Sequence, residues 1–186
     1  ILGDTFHADS AAGTTTAGTR VDTDTRHSKV FRVVIRAMRR AIDRELEKHE
    51  IVNVIVEEGN HDSMSGGMLR VCLAQYYENN PRVRLDTSPA KFHWFRFGDN
   101  LIGTTHGDTA KLDKLPGIMA VDRARDWGET KHRRLYVGHI HHDVVKEVHG
   151  VIIEHLRTLA SKDAWHAGMG YRSGRDMKMD VFHNTR

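Results

Sequence analysis

Cysteine appears once in the 186 residues, as Cys72, which excludes an internal disulfide framework and a thiolate metal cluster within one subunit. A reducing compartment is the simpler setting. No apolar stretch approaches the roughly 20 residues that a bilayer-spanning helix needs, so the chain reads as soluble with no membrane partner. Internal repeats and low-complexity blocks are missing as well, which excludes solenoids and compositionally biased tracts. Charge of one sign is only mildly in excess: the net charge is +3 and the sequence pI about 9.1, which favours an anionic partner without naming one.

What the chain has in quantity is histidine, 14 residues in all. Imidazole is costly to bury unpaired and is the commonest ligand for borderline metals, so several of these belong at a site. The length and the 39% hydrophobic content suit one domain over residues 1–186. Ile1-Leu2 ahead of Gly3-Asp4 reads as the tail of a buried strand, and residues 180–186 stop on a strand-like stretch. The chain is therefore expected to be a piece of a longer one.

The patterning predicts an α/β chain. Residues 11–24, rich in Ala, Gly, Thr and Asp with no apolar period, read as a long exposed loop, and residues 14–26 as either a substrate-facing lid or an ordered surface excursion. Within 26–49, Val30, Val33, Val34, Ala37, Met38, Ala41, Ile42 and Leu46 recur at helical spacing. A β-branched run at 51–56 reads as a buried parallel strand, and a helix follows over 64–77 with Cys72 in its core face. Strands are predicted at 82–85, 92–97, 101–105, 135–137, 144–148, 151–159 and 177–182. A Gly98-Asp99-Asn100 turn makes the second and third of these a hairpin, and Gly150 joins the fifth and sixth. Residues 111–126 read as helical with a break at Pro116-Gly117.

Four short segments then fall just after strands: Gly3-Asp4, Gly59-Asn60-His61-Asp62, Thr105-His106-Gly107-Asp108 and Gly138-His139-Ile140-His141. The carboxyl ends of strands converge on one edge of an open α/β sheet, where such loops can meet. A carboxylate, an amide oxygen and three imidazoles are the donor set of a two-metal hydrolytic site. Asp4 is the candidate bridge, Asn60 supplies a neutral oxygen, and His106 with His139 complete one ion's shell. His141, two residues beyond His139 on an extended segment, is placed to reach the second ion. His61 is the candidate general acid for the leaving alkoxide, with Asp62 to orient or charge its ring.

Gly-Asn-His-Asp and Gly-His-x-His in this order resemble the calcineurin-like metallophosphoesterase superfamily, whose pattern runs Asp-x-His, Gly-Asp, Gly-Asn-His-(Asp/Glu), a His beside Gly, then Gly-His-x-His. Four of the five blocks are present, between Gly3 and His141. The resemblance implies a layered α/β/β/α sandwich and hydrolysis of phosphate esters by two divalent ions, with manganese the first choice and iron, zinc or nickel fitting the same donors. No Asp-x-His precedes Gly3-Asp4, so the N-terminal strand and first motif are expected upstream of Ile1, and this chain alone is expected to be catalytically poor. His7, Asp9, Asp22 or Asp24 could substitute, though nothing in their spacing recommends it.

Gly3-Asp4-Thr5-Phe6-His7-Ala8-Asp9, together with Asp163-Ala164-Trp165 and Gly170-Tyr171-Arg172-Ser173-Gly174-Arg175, is also similar to phosphoesterases carried by bacteriophages. That implies a phosphodiesterase or nuclease acting on DNA or RNA in the cytoplasm of a bacterial host. Arg172 and Arg175 are its candidate substrate contacts. The alternatives are a phosphomonoesterase acting on protein or small-molecule esters, and a catalytically silent binding or scaffold module. Asp108 is read as a helix cap or as an orienting group for His106. His27, His49, His132 and His155 are read as surface or hydrogen-bonded residues. The basic run Arg36, Arg39, Arg40 and Arg44 is read as a solvated helix face offset by Glu45 and Glu47.

Overall fold

A computed structural model describes residues 1–23, 25–161, 167–168, 170 and 172–185. Asp24, the Asp163-Ala164-Trp165 segment and Tyr171, all singled out above, lie outside the described residues. The chain is mixed α/β and divides into two compact units, residues 1–90 and 91–186. No helix among the described residues is long and apolar enough to cross a membrane.

The first unit is built on α1 (His27–Leu46), β1 (Val52–Val54), α2 (Ser63–Tyr77) and β2 (Val83–Leu85). β1 and β2 pair in parallel, Val52 opposite Val83 and Val54 opposite Leu85, with α2 as the crossover. The core gathers Phe6, Ile42, Val54, Val56, Leu69, Leu73, Tyr77 and Val83, and α1 lays Val30, Phe31, Val34, Ile35, Met38 and Leu46 against it. The buried stripe of α1 is therefore rotated from the sequence reading. Phe31 and Ile35 face inward, whereas Val33, Ala37 and Ala41 are exposed. Cys72 is half-buried. Ile1 lies beside the continuation of β1, its amino group donating to the Ile55 carbonyl at 3.0 Å and its carbonyl accepting the Glu57 amide at 2.9 Å.

The second unit carries a five-stranded sheet in the order β3 (His93–Phe97), β4 (Asn100–Thr105), β5 (His132–Val137), β7 (Val151–His155), β6 (Val144–Val148). The three central strands are parallel and each outer strand pairs antiparallel to its neighbour. The β3–β4 hairpin closes on Phe97 opposite Asn100, so Gly98 and Asp99 form the turn, with Gly98 at φ +55°. Leu101, Leu115, Met119, Leu135, Val137, Val151 and Ile153 make the core, with Trp94 and Trp127 packed on it. Gly103 is obligatory in β4 because a Cβ there would enter the ring of its cross-strand partner Trp94.

Several predicted bounds move: β1 keeps only 52–54 of the predicted 51–56, and β5 begins at 132, ahead of the predicted 135. The helical stretch breaks at Arg123, not at Pro116-Gly117: α3 (Leu115–Asp122) takes Pro116 into its first turn, where no amide is needed, and α4 (Ala124–Glu129) follows. β7 ends at His155, four residues short of the predicted 159. Residues 177–182 form no strand, because their ties are made by side chains: Lys178 to Glu154, and Asp180 to the Tyr136 hydroxyl and Arg134.

Candidate metal centre

In the first unit the loop after β1 and the segment 3–16 are bound together. The backbone amide of His61 donates to Asp4 Oδ1 at 2.9 Å, and the Phe6 amide donates to Asp62 Oδ2 at 2.6 Å. Asp62 is fully buried and Phe6 packs at a tilt against Phe31 with ring centres 4.4 Å apart, which anchors this loop in the core. Gly59 must be glycine, since a Cβ would collide with the carboxylate and amide of Asp4. Asn60 and His61 continue the same turn. The His61 ring lies 5.6 Å from that of His7, and its Nδ1 is buried with no hydrogen-bond partner among the described residues.

Among its described residues, the 11–24 loop is tied to that turn. The Thr16 amide donates to the His61 carbonyl at 2.9 Å, and Gly13 and Thr15 are buried. Asp9 receives the Met64 and Ser65 amides at 3.0 and 2.7 Å, while the Ser63 amide donates to Thr16 Oγ1 at 3.0 Å. These are the first three amides of α2, whose own N-cap residue Asp62 makes no side-chain cap bond. Asp9 is thus a cap supplied from 50-odd residues away, a role that sequence spacing gave no means of reading. Burial alone would raise its pKa, but the hydrogen bonds from Ser65, Thr16 and the two amides outweigh burial and hold it below the usual value.

In the second unit, the parallel strands β4, β5 and β7 deliver their carboxyl ends to one edge of the sheet. β4 runs into buried His106, and β5 into Gly138, His139 and His141. The His106 and His139 rings meet edge to face, 5.2 Å between centres. Gly107 sits at φ +102° with Val137 where a Cβ would be. β7 ends at buried His155, whose Nδ1 bonds the Gly138 carbonyl at 3.1 Å and so props the Gly-His-Ile-His turn from beneath. Burial lowers the His155 pKa, and His142 adds to this against the opposing Gly138 bond. Imidazole with Nδ1–H donating is the form that suits this contact.

Among the described residues, five non-glycine positions have positive φ, and three of them are candidate ligands: Asp4 at 51°, His139 at 68° and His141 at 60°. The others are His7 at 63° and His149 at 49°. A side chain in the left-handed region is held there against a steric cost of about 1–2 kcal/mol, and such positions concentrate at functional sites.

Arg172 and Arg175 are exposed in the second unit, donating to the Ala167 carbonyl at 3.2 Å and to Ser161 Oγ at 3.0 Å. A cleft of about 400 Å³ in the same unit opens near Asn100 and His132 and is lined also by Lys131 and Asp180. These two residues begin β4 and β5, so the cleft lies at the amino ends of the strands, away from His106 and His139. Of the remaining histidines, His27 bonds Ser65 Oγ at 3.2 Å, His49 pairs with Glu45 at 3.3 Å and His132 meets the Thr185 carbonyl at 3.2 Å.

Within the second unit, the His106–His139 pair has the spacing that a shared ion needs. Two imidazoles on one ion, each nitrogen about 2.0–2.1 Å from it, need ring centres roughly 5 Å apart, which the His106–His139 spacing meets. In the first unit Asp4 and Asn60 offer oxygen, a donor for hard or borderline cations. Comparison with family models, curated proteins and solved structures finds no match.

Proposed function

We propose that the protein is a metal-dependent phosphoesterase of the calcineurin-like kind, acting on phosphodiesters, and that its two α/β units belong to a layered α/β/β/α sandwich. The observation that carries this reading is the left-handed backbone at Asp4, His139 and His141. Strain at residues already marked by the Gly-Asp and Gly-His-x-His motifs is accounted for if those side chains must point at ions.

In this reading Asp4, Asn60, His106 and His139 hold one divalent ion, and Asp4 and His141 contribute to a second. When bound, such ions neutralise charge on phosphoryl oxygens and lower the pKa of water. The chain's own residues do the rest. Gly59 keeps the space that the Asp4 carboxylate fills, and the His61 amide fixes one of its oxygens. Asp62 and Thr16 hold the loop on either side of His61, leaving its ring to deliver a proton to the leaving oxygen.

Manganese titration calorimetry on the chelator-stripped protein tests the reading. Binding is expected in the unmodified chain and lost in Asp4→Asn and His139→Ala. Assays of the full-length protein with a bis-aryl phosphodiester, an aryl phosphomonoester and single- and double-stranded DNA then separate substrates. Failure to bind any divalent ion overturns the proposal, and preference for the monoester overturns its diesterase part.

A further inference from the structure

We infer that the exposed face of α1 is a docking surface for the sugar-phosphate backbone of duplex nucleic acid. Between Arg26 and Ile42 the chain carries six cations, Arg26, Lys29, Arg32, Arg36, Arg39 and Arg40, and no acid. Lys29, Arg32, Arg36 and Arg40 follow one another at three- and four-residue steps and are all exposed, forming one stripe about 16 Å long at 1.5 Å per residue.

Three acids in the last turn of α1 and just beyond it are engaged elsewhere. Glu47 pairs with Arg44 at 2.9 Å, Glu45 with His49 at 3.3 Å, and Asp43 accepts the Tyr77 hydroxyl at 2.7 Å. Among the described residues no ion pair engages the four stripe cations. The first turn of α1 has no acidic residue, so Lys29 stands against the positive end of the helix dipole without an acid in that turn. Beside the stripe, the guanidinium carbon of Arg39 sits over the half-exposed ring of Tyr76, 3.4 Å from its centre.

Arginine predominates in the stripe, and its planar fork matches phosphate oxygens two at a time. A lipid surface fits less well. Membrane-lying helices bury their apolar face in the bilayer, but that face of α1 is packed in the core, and Val33 is the large apolar side chain it exposes. The inference does not depend on the metal site, because phosphate contacts of this kind need no ion.

The test measures duplex DNA affinity of the full chain in chelator across 50–200 mM salt, for the unmodified protein and Arg32→Gln/Arg36→Gln/Arg40→Gln. Gln keeps helix propensity close to that of Arg, and circular dichroism checks that α1 persists. Each lost phosphate contact removes about 0.9 from the salt slope. The triple variant should therefore lower the slope by about 2.7, which shrinks the affinity change over that fourfold salt range by about 40-fold. A variant of equal charge change in the second unit, Lys111→Gln/Lys114→Gln/Arg125→Gln, should keep the slope. Equal losses in both variants, no DNA binding at 50 mM salt, or binding to anionic phospholipid vesicles in preference to DNA would each overturn the inference. Manganese binding in calorimetry should be unchanged by the α1 variant, so failure here is separable from failure of the metal reading.

Discussion

Asp9→Ala tests the claim that the start of α2, and with it the Gly-Asn-His-Asp turn, is held from the segment 9–16. The substitution removes the acceptor for the Met64 and Ser65 amides and for the Thr16 hydroxyl, at 3.0, 2.7 and 2.7 Å. Loss of a helix cap costs about 0.5–2 kcal/mol. Bonds to a charged acceptor sit at the upper end of such values, while partial solvation of these amides moderates the loss, so about 2 kcal/mol is expected. Asp9→Asn keeps an acceptor and should lose about half as much.

The pH dependence has a definite sign. The folded carboxyl titrates below its unfolded value of about 3.9, so its contribution is fully present above that pH and is lost as pH falls through the folded pKa. Urea denaturation at pH 7, 5 and 3 should show a constant gap between the unmodified protein and Asp9→Ala at the first two and a smaller one at the third. Hydrogen exchange at Met64 and Ser65 should accelerate in the variant. A stability change under about 0.5 kcal/mol, with both amides still protected, would refute the capping role.

Three further outcomes follow from the same geometry. Glu58→Gln leaves the buried Arg70 guanidinium without the carboxylate that it meets at 2.6 Å, and should cost about 3 kcal/mol in chemical denaturation, with Glu58→Met/Arg70→Met recovering much of it. Gly59→Ala should shift the Asp4 carboxylate and weaken manganese binding by about tenfold in calorimetry, while costing about 1–3 kcal/mol of stability from overpacking. His155, with its pKa lowered, binds fewer protons folded than unfolded, so the second unit should lose stability as pH falls from about 6.5 toward the folded value. His155→Gln should flatten that dependence, and an unaltered profile in tryptophan fluorescence would remove His155 as its source.

Period and turn chemistry made most elements legible. β1, α2, β3, β4, β5 and β6 follow from β-branched or periodic runs bounded by Gly or Asp. What misled was competition from tertiary ties. Residues 177–182 alternate like a strand, yet Lys178 and Asp180 are held by Glu154, Tyr136 and Arg134, so the alternation reports side-chain anchoring and no ladder. Pro116 looked like a breaker because the helix start at Leu115 was invisible to periodicity. At the candidate site, the motifs named Asp4, Asn60, His106, His139 and His141, and each unit gives its members a definite setting. The supports did not show in the sequence: Asp9 beneath α2 and His155 beneath Gly138 act across 56 and 17 residues, and neither belongs to a local pattern.

The left-handed backbone at His139 offers a way to separate strain from ligation. At φ 68° a residue with a Cβ pays about 1–2 kcal/mol, of which glycine is relieved, while glycine loses about 0.5–1 kcal/mol through its freer unfolded chain. His139→Gly should therefore be about as stable as the unmodified protein or slightly more so, and His139→Ala less stable than His139→Gly by about 1 kcal/mol. The exposure of His139 keeps packing losses small in both. Trp94 and Trp127, both in the second unit, report its unfolding by fluorescence. Manganese affinity should fall alike in the two variants, because both lack the imidazole. A position where glycine restores stability without restoring metal binding is one whose conformation is kept for the side chain it presents. If His139→Gly proves markedly less stable than His139→Ala, the backbone there is not strained, and the reading built on it loses its support.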